Sequence, residues 1–218
     1  MTLFGSASAA PLGENPLGSE RSAESRQPLA EPGPMLPPVP AVILSMRGDD
    51  GDPDELSVLW TFVVNGSPPQ VGVTAGTEHL AQRLLEKRSE FVLNVPTASM
   101  ITAFDTIDMN SSSVGDKYSL SGLTRGEATS VDAPTVAEAP IQCECRIIGS
   151  LDVPPVRKIF VAEVVATTTF SDAVDENGRL IVDNVPFFGM TAGSGEHYTM
   201  GERIGNIGMT VGRNDIKY

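Results

Sequence analysis

The sequence has little of what metal centres, disulfide scaffolds and nucleic-acid binders carry in quantity. Histidine occurs twice, at His79 and His197, cysteine twice, at Cys143 and Cys145, and tryptophan once, at Trp60. Two histidines with no further ligand at metal spacing give a zinc or iron centre nothing to form on. Cys143 and Cys145 stand at alternate positions of "IQCECRII", on one side of a strand. They are too close for a long-loop disulfide and read as buried thiols of a reduced, cytoplasmic protein. Basic residues number 15 against 28 acidic ones, and a net charge of −13 excludes nucleic acid and anionic membrane as partners, because both would repel the chain. No apolar run approaches the ~20 residues of a membrane span. The start, "MTLFGSASAAPLGE", offers neither the basic nor the apolar region of a secretory signal. Hydrolase and phosphate-loop signatures are missing too: no Gly-x-Ser-x-Gly elbow, no Gly-x-x-x-x-Gly-Lys and no dinucleotide fingerprint after a strand.

What is there divides in two. Residues 1–36 hold Pro11, Pro16, Pro28, Pro32 and Pro34 among Ser, Ala, Gly and Glu, with Phe4 the only aromatic. Such a segment buries too little apolar surface to offset its ordering entropy, and a flexible tail is expected. Residues 37–218 are β-rich. Val39–Met46 reads as a strand apolar on both faces, "LSVLWTFVV" as a second, "QVGVT" as a short third. "TEHLAQRLLEKRSE" then switches to helical spacing, with Leu80, Leu84 and Leu85 on one side and Thr77 as the expected N-cap. "FVLNV" follows as a strand, 96–140 as short helical turns and a surface excursion. "IQCECRIIGS" places Ile141, Cys143, Cys145 and Ile147 inside and Gln142, Glu144 and Arg146 outside. "KIFVAEVVATTTF" is a long strand, and Asn177-Gly178 a tight turn. Roughly six strands and one clear helix predict a mainly β, β-rich α+β fold: a closed or nearly closed antiparallel barrel with appended helices.

One stretch interrupts this pattern. In "WTFVVNGSPPQVGV", Pro68 and Pro69 carry no backbone N–H, so pairing is expected to break beside an aromatic strand and leave main-chain groups for another partner.

The order of pieces resembles the flavin reductase-like family of FMN-binding split barrels. "PVPAVILSM", "LSVLWTFVVNGSPPQVGVT", "EFVLNVP", "GDKYSLSGLT", "APTVAEAPIQCECRIIG", "IFVAEVVA" and "YTMGERIG" carry the likeness, from about Pro37 to Gly205. The resemblance implies an FMN-binding split β-barrel that forms a homodimer, with FMN (FAD or riboflavin as alternatives) near the subunit interface. It implies an NAD(P)H:flavin reductase that passes hydride from nicotinamide C4 to flavin N5 and hands reduced flavin to a partner oxygenase or another acceptor. The alternative is a flavoredoxin-type electron carrier without a nicotinamide site. A barrel that has lost its flavin is the remaining option.

By the same resemblance, Trp60 stacks on the flavin or serves the core or the dimer contact. Thr61, Phe62, Val63, Val64 and Asn65 line the isoalloxazine through their main chain, turn chemistry being the other reading of Asn65. Thr77 offers a hydroxyl to the phosphate and His79 falls near the usual arginine. Ala81 replaces the usual threonine, and Glu78 brings a negative charge. Lys117, in "GDKY", faces the phosphate or the N1–O2 edge, or is a solvated loop lysine. Phe188, after Phe187, approaches the cofactor or packs in the core. Glu202 and Arg203 are assigned a structural role. Arg157 and Lys158 stand where relatives carry a histidine linked to nicotinamide.

Overall fold

The computed structural model describes residues 28–36, 38–192 and 194–212, so most of the expected tail lies outside the described residues. The chain forms two compact units. One is Met35–Met200; the other joins the segments before and after it. In the second unit the described residues, 28–34 and 201–212, hold a single 3₁₀ turn, Met209–Val211.

The larger unit contains twelve strands and three α-helices among its described residues. They run β1 (Val39–Pro40), β2 (Ile43–Met46), β3 (Glu55–Val58), β4 (Trp60–Gly66), β5 (Pro69–Gly76), α1 (Leu80–Arg88), β6 (Glu90–Val95), α2 (Ile101–Met109) and α3 (Lys117–Ser121). Then come β7 (Arg125–Glu127), β8 (Pro134–Val136), β9 (Ile141–Val153), β10 (Arg157–Thr169), β11 (Phe188–Met190) and β12 (His197–Thr199). Seven strands make one antiparallel sheet in the order β3-β2-β6-β9-β10-β5-β4.

That order fixes the shape. β3 and β4 are the two edges of the sheet, yet only Leu59 separates them in sequence. The sheet must therefore curl until its edges nearly meet at Leu59, which is buried in the core with Val73, Phe91 and Phe160. "LSVLWTFVV" is thus two strands bent at Leu59 and not the single strand its composition suggests. Val39–Met46 also divides: β1 pairs with β11, β2 with β3 and β6. β2 is buried on both faces, as its composition predicts. Leu44 and Met46 join the barrel core, whereas Ile43 meets Phe104, Ile107 and Tyr118 of α2 and α3.

Two local expectations are corrected. The prolines do not break the β4–β5 ladder, which pairs from Trp60 opposite Thr74 to Gly66 opposite Pro69, with a bulge between Val63 and Asn65. Pro68 sits in the turn and Pro69 opens β5. The unpaired main chain is the outer edge of β4. Glu144 is not outside but 2% exposed: its carboxylate accepts from Thr129 N and Oγ1 at 3.0 and 2.9 Å and from Ser130 N at 2.5 Å.

Candidate functional site

A cavity of about 830 Å³ opens beside the point where the sheet edges approach. Its walls come from residues 52–60, the start of α1, the end of α2, the loop leading to Lys117, and Arg157 at the tip of the β9–β10 hairpin.

One wall carries a buried ion pair. Lys117, at the first turn of α3, is 5% exposed, and Glu55, at the start of β3, is 4% exposed. Lys117 Nζ donates to Glu55 Oε1 at 2.9 Å and to the Leu56 carbonyl at 2.8 Å. Ser57 Oγ donates to the same carboxylate oxygen at 2.9 Å. A charge buried this deeply is tolerated only when paired, and these contacts account for the pair's survival in the wall. Lys117 is therefore no solvated loop residue.

Another part of the wall is the start of α1. His79 is the N-cap, extended at φ −85°, ψ 143°, and no side chain caps the first turn. The N-terminal N–H groups of such a helix are left for solvent or an anion. Arg83 lies on the same wall, one helical turn beyond His79. The His79 ring lies over Gly76, where a Cβ would come within 2.6 Å of His79 Cδ2. The loop before the helix is tied to the β9–β10 turn by Thr77 N–H to the Val156 carbonyl, 3.0 Å. Thr77 is thus outside the cap position assigned to it, and Glu78 precedes the helix, so no acid sits in the first turn.

At the mouth, Trp60 is 46% exposed, and the Arg157 guanidinium lies 5.3 Å from its ring centroid. That is a cation–π distance. Lys158 instead pairs with Glu86 at 2.7 Å and Asp152 at 3.4 Å. Asp108 of α2 also lines the cavity. Partial desolvation there, then the nearby charge of Asp105, hold its carboxyl above the usual range.

Of the residues singled out from sequence, Trp60, Glu78, His79, Ala81, Lys117 and Arg157 line this cavity. Thr61 is buried and its Oγ1 donates to the Leu59 carbonyl at 3.1 Å. Phe62, Val63, Val64 and Asn65 continue along the edge strand as exposed residues. Phe188 packs edge-on against Phe104 in the core, ring centroids 5.2 Å apart. Glu55 and Arg83 were not anticipated. Arg83 was readable as four residues after His79 on one helix. The burial of Glu55 was not, since its partner Lys117 lies 62 residues away.

The flavin reductase like domain model matches residues 37–185, and the chain belongs to that family. Among sequence relatives, an uncharacterized protein of Pyrococcus abyssi is 27% identical over 138 residues, 63% of this chain and 77% of that one. Among solved structures, the flavoredoxin of Desulfovibrio vulgaris (Miyazaki F) superposes with a TM-score of 0.78 at 20% identity, covering 86% of this chain and all of the other. An FMN-binding protein from Thermus thermophilus, solved with bound 1-cyclohex-2-enone, gives 0.64 at 20% identity over 84% and 97% of the two chains. These likenesses establish the fold as a flavin reductase-like split barrel.

Proposed function

We propose that the protein is an FMN-binding oxidoreductase that takes reducing equivalents from NADH or NADPH. The cavity carries this reading. Its volume lies in the ligand range of roughly 300–1,000 Å³, and it joins an uncapped helix start to an aromatic wall and a buried donor. Its residues fit FMN by type. The first N–H groups of α1 with Arg83 and His79 suit a phosphate. Trp60 suits the face of a flat ring, and Lys117 suits its polar edge. When bound, FMN supplies a two-electron acceptor able to take hydride from a reduced nicotinamide. The chain's own task is to hold the ring, exclude water and leave one face open; no protein acid or base is needed. FAD and riboflavin are the alternative flavins, and an oxygenase partner is one possible consumer of the reduced form.

A second reading, a flavoredoxin-type carrier reduced by another protein, is favoured by one observation. Lys158 is held by Glu86 and Asp152, and Arg157 leans on Trp60, so neither stands as a spare cation in a second pocket. A visible spectrum of the protein desalted after addition of FMN, followed by anaerobic NADH and then NADPH, separates the readings. Retained yellow that bleaches is the expected outcome. Retained yellow that does not bleach transfers the assignment to the carrier. Loss of all flavin, with no flavin-dependent NAD(P)H oxidation, overturns both.

We further assign a second copy of the chain as partner, on the outer face of β4–β5–β10–β9. Residues directly opposite one another share a face. Trp60, Thr74, Ile159 and Leu151 form one such row, and Phe62, Gly72, Val161 and Gly149 the next. Thr61, Val73 and Phe160, one residue along, point to the core. The outer rows are therefore mainly apolar and border the cavity at Trp60.

A further inference from the structure

Trp60 is the large aromatic ring of the cavity wall, and the chain itself covers part of it. Thr74 stands opposite both Trp60 and Ile159, and Gly76 opposite Arg157. Positions 74 and 76 of β5 share a face, so Trp60 and Arg157 share it too. Gly76 adds no side chain there, and the Arg157 guanidinium lies 5.3 Å from the centroid of the indole. The base of Arg157 is fixed. Its backbone is registered with Gly76 and Val153, and the preceding carbonyl, that of Val156, accepts from Thr77 N–H at 3.0 Å. Only the exposed side chain is left to move.

What holds this guanidinium is a ring and not a charge. Arg47, Arg88, Arg125, Arg146 and Lys158 each pair with a carboxylate. Arg157 pairs with none among the described residues, in a chain of 28 acidic and 15 basic side chains. At an exposed site a cation–π contact is worth a factor of about two to five. A charge-assisted hydrogen bond is worth about tenfold or more. A neutral ring stacking on the covered face must displace the cation and offers nothing in return. A planar ligand with a negative group replaces the contact with an ion pair of the forked kind that arginine forms.

We propose that Arg157 determines the specificity of the cavity mouth: it is an exchangeable cover on Trp60 that disfavours uncharged planar ligands and selects planar anions by taking up their negative group. The inference goes beyond the flavin reading and stands without it, because it concerns any flat ring that reaches Trp60. Specificity here is a difference of two affinities, and one side chain acts on both terms with opposite sign.

Trp60 is the only tryptophan, so the full-length protein gives a single indole N–H resonance in a proton–nitrogen correlation spectrum. That resonance is followed on protein whose visible spectrum shows no bound flavin, during titration with naphthoate and with its uncharged isostere naphthamide. Native protein is expected to bind naphthoate the more tightly. In Arg157→Leu the amide should bind about two- to fivefold more tightly than in the native protein, and the carboxylate more weakly. The ratio of the two dissociation constants should then narrow by about tenfold or more. Arg157→Lys keeps the charge without the planar fork and should retain only part of that ratio. Circular dichroism checks the fold of both variants. A ratio that Arg157→Leu leaves unchanged overturns the proposal, as does a native protein with no preference for naphthoate or an indole resonance that moves with neither probe. Equal weakening of both probes in Arg157→Leu also overturns it, since that would make Arg157 a packing residue. Failure of the flavin reading would show in the FMN spectrum alone and leaves this comparison untouched.

Discussion

Glu144 shows how one side chain decides a local structure. Its neighbours Cys143 and Cys145 are drawn into apolar surroundings, and burial pushes both thiols up, so they are expected to resist alkylation at neutral pH. Glu144 is buried as well, which by itself would raise its carboxyl, yet the N–H groups of Thr129 and Ser130 overcome that cost and hold it below its ordinary 4.5. The consequence for stability has a definite sign. A carboxyl depressed on folding stabilises the fold above its unfolded value and loses that contribution as pH falls through its folded value. Glu144→Gln should therefore lower stability by about 1–3 kcal/mol at pH 7. Denaturant titrations should show the gap from the native protein closing below pH 4.5, the carboxyl's ordinary value. A gap that persists unchanged at low pH would show that the charge is not what matters at this position.

At the scale of the element, α1 is the piece that connects sequence to site most directly. Ala81, Leu84 and Leu85 seat it on the barrel core, and this seat sets where His79 and Arg83 stand on the cavity wall. Its far end stops at Ser89, a left-handed residue at φ 59°, whose N–H bonds the Leu85 carbonyl at 3.2 Å. Glycine is the residue that takes this conformation without cost. Ser89→Gly should raise stability by about 0.5–1 kcal/mol, the relief of left-handed strain exceeding the entropy cost of glycine. Thermal unfolding would register this as a rise of roughly 2–4 °C per kcal/mol; no rise would mean that the serine side chain offsets the strain. The helix itself was legible because its apolar residues recur at 3.6-residue spacing, and the long strands β9 and β10 because theirs alternate. The N-cap falls two residues beyond Thr77, at His79: Thr77 has the right chemistry, but its segment is tied to the β9–β10 turn through the Val156 carbonyl and the helix begins after it. The bend at Leu59 and the burial of Glu55 and Glu144 left no local trace. Each is decided by a partner distant in sequence, and the ordinary appearance of "LSVLWTFVV" and "QCECR" follows from that.

At the scale of the whole molecule, the outer face of the barrel asks for a covering. Five apolar side chains, Trp60, Phe62, Leu151, Ile159 and Val161, line rows whose opposite face is fully used by the core. Gly72 is what lets Phe62 lie flat there, since a Cβ at that position would come within 2.3 Å of the ring. Leu151 of β9 is 62% exposed in the single chain, and at the far end of the same row the edge strand β4 has its outer main-chain groups unpaired. Exposed apolar rows that end at an open edge favour association. A second copy meeting this face across a two-fold axis buries the same rows twice. The protein should then sediment at twice its 23.0 kDa. Leu151→Glu, which sets like charges against each other across such an axis, should shift it toward the single-chain mass while its far-ultraviolet circular dichroism stays unchanged. Because Trp60 belongs both to these rows and to the mouth of the cavity, the same substitution should also weaken FMN binding, and that loss should lessen as protein concentration is raised. A native protein that remains at single-chain mass at every concentration would remove the second copy from this face.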